Sequence, residues 1–202
     1  GITDVVILAG LVGDPITKKF PEASNRINLN GMSGMLDAMA SRGLDKVIFI
    51  STCSNYGLME DGKLATEESE LRPLSLYAEA KVASEKKILS LQGSVDYSAT
   101  ILRFATAFGF APRMRFDLTV NEFTRDIFLG GNDLVVYDAE TWRPYCHVRD
   151  FAKLIRRVLE LPKVRSSFEV FNAGGDINNH TKQSIVDIIT SRLPKADIGY
   201  KD

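Results

Sequence analysis

Short apolar runs alternate with segments of helical spacing from one end of this 202-residue chain to the other, and no other feature narrows the fold as far. Residues 4–10, 46–50, 98–102, 134–137 and 168–171 are too short for core helices. They are predicted to be buried strands, the first ending in Gly10 and the last followed by a Gly174-Gly175 turn. Between them, Leu29, Met32, Leu36 and Met39 mark one face of a helix over 27–40 that stops near Gly43. Further helices are predicted over 75–91, 114–129, 148–161 (stopped by Pro162) and 181–193, with Thr181 as the last one's N-cap. Residues 61–72 read as a charged loop closed by Pro73, and Asp14-Pro15 after Gly13 reads as a turn. Strands alternating with helices imply parallel strands joined by crossover helices, an α/β doubly wound sheet. Ligands in such sheets sit at the carboxyl ends of the strands.

Composition excludes several function classes. A formal net charge of -1 leaves no general basic field, so neither nucleic acid nor a membrane surface is an expected partner. No apolar run approaches the ~20 residues needed to span a bilayer. Gly1-Ile2-Thr3-Asp4 has no basic n-region or cleavage site, so no signal peptide is expected. The two cysteines, Cys53 and Cys146, make neither a disulfide framework nor a zinc site. The expected setting is reduced and cytoplasmic, with no metal.

Two constellations carry chemistry. Tyr77-Ala78-Glu79-Ala80-Lys81 lies inside a predicted helix, where residues four apart share a face. A lysine so placed holds its charge near the phenol and lowers its pKa. The tyrosine can then exchange a proton with a substrate hydroxyl or carbonyl near neutral pH. Tyr and Lys four apart also occur on many solvated helices. Upstream, Ile50-Ser51-Thr52-Cys53-Ser54-Asn55-Tyr56-Gly57 places hydroxyls immediately after a buried strand. A hydroxyl there can polarise a reacting oxygen, or belong to an ordinary serine-rich turn.

Together these segments resemble the extended short-chain dehydrogenase/reductase family, and within it the NAD-dependent nucleotide-sugar epimerases and dehydratases, UDP-glucose 4-epimerase-like proteins among them. The order matches: the Ser/Thr segment, Tyr77 to Lys81, the strand end Leu102-Arg103-Phe104-Ala105-Thr106, then Arg143-Pro144-Tyr145-Cys146-His147-Val148-Arg149-Asp150. The first strand and Asn28 match as well. The resemblance implies a Rossmann-like doubly wound parallel sheet with a small partial substrate-binding lobe. It implies residues 1–110 as a partial NAD(P)-binding domain, and 111–202 as a sugar-nucleotide-binding region interleaved with remaining Rossmann elements. Tyr77 would be the general acid/base, Lys81 would tune it and bind the nicotinamide ribose, and Thr52 would polarise the substrate. Leu8, Ala9, Gly10, Leu11, Val12, Asn28, Phe104 and Ala105 would line the cofactor, NAD with NADP also open. Thr52, Thr106, Asp117, Leu118, Asn121 and Arg143 would hold a nucleotide sugar, Arg143 by its guanidinium fork on a phosphate. Bland readings stand beside these. Asn28 could cap or brace a helix, Arg113 and Arg115 could be solvated, and His147 at a helix entry is read as structural rather than as a base. A homodimer through helices that include the Tyr-Lys helix is also implied.

One departure stands out. The family opens with a strand, a glycine-rich turn and a helix that hold the pyrophosphate, and no such element precedes the first strand here. About sixty or more upstream residues are expected to be missing, judged from ordinary βα unit sizes. Within the family, 4,6-dehydratases typically carry an Asp-Glu pair directly after the active-site threonine, where this chain has Cys53 and Ser54. The expected reaction is therefore epimerisation. A keto-sugar reductase is the alternative, and a non-catalytic binding or assembly protein the alternative from another class.

Overall fold

The structure is a computed structural model, and it describes residues 1–59, 63–130, 134–193 and 198–201. The chain forms two compact units: Gly1–Phe104 with Leu154–Asn172, and Ala105–Lys153 with Ala173–Asp202. The first unit thus breaks at Phe104 and takes back residues 154–172.

The first unit is built on a sheet. Strands β1 (Asp4–Ile7), β2 (Lys46–Thr52) and β3 (Ser98–Phe104) run parallel, with Ile7 opposite Phe49 and Thr52 opposite Phe104. A later strand, β7 (Glu169–Ala173), lies on the far side of β3. Val47 and Phe49 alternate with Ile48, and Ala99 and Ile101 with Thr100 and Leu102; all are buried, so both faces of the central strands are covered. One face packs Val47, Phe49, Ala99 and Ile101 with Met32, Leu36, Met39 and Ile88 in a single cluster. Fully burying a side chain such as Leu36 is worth roughly 1.5–3 kcal/mol.

The segment between β1 and β2 corrects the sequence reading. Asp14-Pro15 is not a free turn but opens a short helix, α1 (Asp14–Lys19), with proline in its first turn and Lys18 and Lys19 in its last. A helical run then continues through α2 (Pro21–Ser24), a π-helical stretch (Asn25–Gly31) and α3 (Met32–Met39), where a helix was predicted only over 27–40. Widened π turns are rare and concentrate at functional sites; this one carries Asn28. Helix α4 (Leu76–Ser90) follows the prediction, with the Ser75 hydroxyl accepting the Ala78 N–H as its N-cap. The expected loop 61–72 holds no helix or strand from Lys63 on; its residues 61 and 62 lie outside the described residues.

In the second unit, β4 (Thr106–Phe108) pairs parallel with β6 (Trp142–His147), which pairs antiparallel with β8 (Asn179–Thr181). Strand β5 (Leu134–Tyr137) pairs parallel with β9 (Ile198–Lys201). Helix α5 (Thr119–Leu129) begins later than the predicted 114, because Met114 to Leu118 are held as a loop by the Asn121 amide, which donates to the Arg115 carbonyl. Its end is set by Gly130 in the left-handed conformation. Helix α6 (Val148–Glu160) follows β6 directly, and α7 (Lys182–Thr190) is capped by Thr181 as expected, its hydroxyl accepting from Ser184 N–H.

Candidate active site

A cleft of about 150 Å³ opens in the first unit beyond the end of β1. Tyr77, Ala80, Lys81 and Ser84 of α4 form one wall, Ile27, Asn28 and Gly31 of the π-helical stretch another, with Ala9 and Gly10 at its edge. Of the residues expected here, Ala9, Gly10, Asn28, Tyr77 and Lys81 meet on this cleft. Leu8 and Val12 point largely to solvent.

Asn28 is the best-explained of these side chains. Its Oδ1 accepts from Leu11 N–H at 2.8 Å and its Nδ2 donates to the Leu11 carbonyl at 2.9 Å, imitating a neighbouring strand. The amide thus fixes the path of the chain leaving β1. Gly10 has φ +153°, and a Cβ there would stand 3.2 Å from Asn28 Oδ1. Glycine keeps the backbone approachable from the cleft at this point.

Lys81 is nearly buried, 9% exposed. Its Nζ donates to the Ile50 carbonyl at 2.6 Å and lies over the Phe49 ring, 4.5 Å from the centroid, and the Tyr77 ring, at 5.8 Å. Burial pulls its pKa down to about 8 against the opposing charge of Glu85. Thr52, the last residue of β2, is buried, and its Oγ1 accepts from Ser54 N–H at 3.2 Å. That bond caps the 3-10 turn Cys53–Tyr56 and leaves the hydroxyl proton to be donated.

A buried polar network beneath this site was not foreseen. Glu85, 1% exposed, pairs with Arg103 at 2.7 Å; it also accepts from Asn55 Nδ2 at 2.7 Å and from the Ser51 hydroxyl. Arg103 donates to the Tyr56 hydroxyl at 2.8 Å, and that hydroxyl donates to Asn172 Oδ1 at 2.7 Å. Burial works against the charge on Arg103, but its bonds to Glu85 and Tyr56 outweigh that and raise its pKa. The legible signal was Glu85, four residues beyond Lys81 on the same helix face.

The remaining predicted residues lie at the rim of β3 and in the second unit. Phe104 ends β3, half-buried; Ala105 donates its N–H to Ala173 at 3.0 Å, and Thr106 opens β4. Asp117 is exposed and pairs with Arg115 at 2.7 Å, which holds its carboxyl below the usual range. Leu118 is the N-cap position of α5. Asn121 Oδ1 accepts from Gly109 N–H at 3.0 Å, so both ends of its amide brace the loop. Arg143 is exposed on β6, opposite His180. His147 Nδ1 accepts from Arg149 N–H at 3.1 Å, and its ring meets Phe108 edge-on; these contacts support the structural reading. Cys53 and Cys146 are not joined in a disulfide. Among the described residues no group of three or more His, Cys, Asp or Glu could hold a metal ion, and no helix is long and apolar enough to cross a membrane.

The sequence profile of the NAD dependent epimerase/dehydratase family matches residues 1–174. The chain belongs to that family. Among curated relatives, an uncharacterized UDP-glucose epimerase of Bacillus subtilis, YtcB, is 30% identical over 178 residues, 87% of this chain and 54% of that protein. Among solved structures, the UDP-glucuronic acid 4-epimerase of Bacillus cereus, in complex with UDP-glucuronic acid and NAD, superposes with a TM-score of 0.84 at 25% identity. It covers 96% of this chain and 62% of that one. TunA, an NAD-dependent NDP-hexosamine 5,6-dehydratase of tunicamycin biosynthesis, superposes with 0.84 at 27% identity, covering 100% and 64%. The fold is therefore the expected Rossmann-like α/β sheet. The chain spans about half the length of the curated relatives it matches and about two thirds of these structures.

Proposed function

We propose that this chain carries the acid/base centre and part of the cofactor site of an NAD-dependent epimerase acting on a nucleotide-activated sugar. The observation that carries this reading is one cleft lined by Tyr77, a nearly buried Lys81, Asn28 and Gly10.

The cleft suits the nicotinamide end of a dinucleotide. Small residues and an approachable backbone at Ala9 and Gly10 admit a flat ring edge, while the Lys81 ammonium has donors to spare for ribose hydroxyls beyond its bond to Ile50. Bound there, the nicotinamide would supply hydride removal from, and return to, a sugar carbon. The remaining chemistry falls to side chains. Lys81, charged below about pH 8, favours the ionised form of the phenol four residues before it. Tyr77 takes the proton of the sugar hydroxyl as a carbonyl forms and gives it back on return. Thr52 donates a hydrogen bond to the same oxygen. Arg143 grips a phosphate of the nucleotide, and Thr106, Asp117, Leu118 and Asn121 contribute to the sugar-nucleotide pocket.

Epimerisation is preferred to dehydration because elimination of water needs a carboxylate acid and base beside the carbonyl, and Cys53 and Ser54 follow Thr52. The UDP-sugar epimerases among its relatives point the same way. A homodimer packed through α4 belongs to the same proposal.

The test is to denature the purified full-length protein and assay the supernatant for nicotinamide dinucleotide. An epimerase regenerates its cofactor within each cycle, so close to one dinucleotide per chain is expected. Empty protein that consumes added NAD(P)H with each turnover would replace the epimerase by a keto-sugar reductase.

A further inference from the structure

Tyr77, Lys81 and Glu85 are spaced four apart and form one stripe along α4. The last two both reach the end of β2. Lys81 Nζ bonds the Ile50 carbonyl at 2.6 Å, and the Glu85 carboxylate gathers the Ser51 hydroxyl and the Asn55 amide. Alternation along a strand sends the side chains of Ser51 and Thr52 to opposite faces. One 3-10 turn brings Asn55 back onto Ser51 Oγ at 3.1 Å. Thr52 is thus flanked in sequence by two residues tied to Glu85. Arg103 holds that carboxylate through Nη2 at 2.7 Å and Nε at 3.2 Å, and ties Tyr56, the next residue of the turn, at 2.8 Å. The network is shut away from water, and the cleft chemistry does not use it.

We propose that Glu85 is a positioning residue of the Tyr77–Lys81 site: its carboxylate, oriented by Arg103, pins the Thr52 turn onto the α4 face and sets a negative charge beside the buried Lys81 ammonium. The proposal rests on the reading of Tyr77 and Lys81 as acid/base machinery. Among the described residues, the groups facing Lys81 are Tyr77 and Glu85 from its own helix, the Phe49 ring and Ile50 carbonyl from β2, and Asn28, which shares the cleft. Arg103 from β3 bonds Glu85 instead. Glu85 is the acidic side chain that opposes the effect of burial on Lys81.

The test combines the titration of Lys81 with catalysis. Lysines of the full-length protein are reductively methylated with ¹³C-formaldehyde, and the Lys81 resonance, assigned by its loss in Lys81→Arg, is followed against pH. Glu85→Gln keeps the shape of the side chain and removes the charge. Because Arg103 is then left unpaired, Glu85→Gln/Arg103→Met, which removes both charges, is measured beside it. In either folded variant the Lys81 midpoint is expected to fall by about one pH unit. The basic limb of the kcat profile should fall with it, and amides of residues 53–56 should exchange faster. Glu85→Asp should recover part of each change. A folded variant with unmoved Lys81 titration and unmoved exchange overturns the proposal. If Tyr77→Phe still abolishes turnover in that case, the acid/base reading survives alone. A shifted titration with Tyr77→Phe fully active would instead leave the brace standing and remove the acid/base reading.

Discussion

Tyr77 and Lys81 place opposite demands on their surroundings. The phenol needs a nearby cation to ionise, and the cation needs relief from burial to stay charged. Replacing Tyr77 by Phe would remove the proposed proton carrier and should lower turnover by ~10²–10⁴, measured with the full-length protein; unchanged turnover would take Tyr77 out of the mechanism. Lys81 makes a separate prediction for stability. Its pKa in the folded chain, about 8, lies below the ordinary 10.5, so the folded state gives up the proton first. Below pH 8 both states hold it, and between about 8 and 10.5 only the unfolded chain does, so this group adds stability as pH rises through that window. The stability of the wild type minus that of Lys81→Met, from urea unfolding, should therefore increase from pH 8 to pH 10.5. A flat difference would mean the ammonium is not desolvated. Spacing four apart made Tyr77 and Lys81 legible in the sequence, and would have served for Glu85. The partners of Asn28 and Arg103 were not legible, because Leu11 and Glu85 meet them only through tertiary folding.

At the scale of elements, helices with strong local signals fell where the sequence placed them. Ser75 and Thr181 are N-caps because their hydroxyls accept the orphan N–H groups of α4 and α7. Elements defined by context escaped. The α1 helix was hidden because Asp-Pro serves a turn and a helix start equally well, and β6 because its residues read as the approach to α6. The end of α6, stopped locally by Pro162, is also held by one long-range contact. Lys46 Nζ bonds the carbonyls of Val158 at 3.3 Å and Leu161 at 2.6 Å, and that of Leu159, placing a cation at the helix C-terminus. Lys46→Met should cost about 1.5–3 kcal/mol of unfolding free energy, read by urea denaturation. A loss below the error of the method would show that water replaces the lysine at no cost.

At the scale of the whole molecule, the alternation of strands and helices was enough to give the α/β class, since few other folds bury parallel strands on both faces. The return of residues 154–172 to the first unit has no local signal; an interleaving of 111–202 with Rossmann elements was implied by the family resemblance alone. The proposed acid/base pair and the Asn28 brace lie within the first unit, while Arg143 and the other proposed sugar-nucleotide contacts lie in the second. Arg143→Ala in the full-length protein should accordingly weaken nucleotide-sugar binding by calorimetry and leave the dinucleotide content unchanged; equal losses of both would contradict its phosphate role. The decisive measurement is to incubate the full-length protein with a panel of UDP-hexoses and UDP-hexuronates, with no reductant added, and to follow the sugars by NMR. One epimeric pair is expected to interconvert to equilibrium with no net change in nicotinamide absorbance, and Tyr77→Phe to stop the exchange. Loss of water from the sugar, or turnover only at the expense of added NAD(P)H, would contradict the proposed epimerisation.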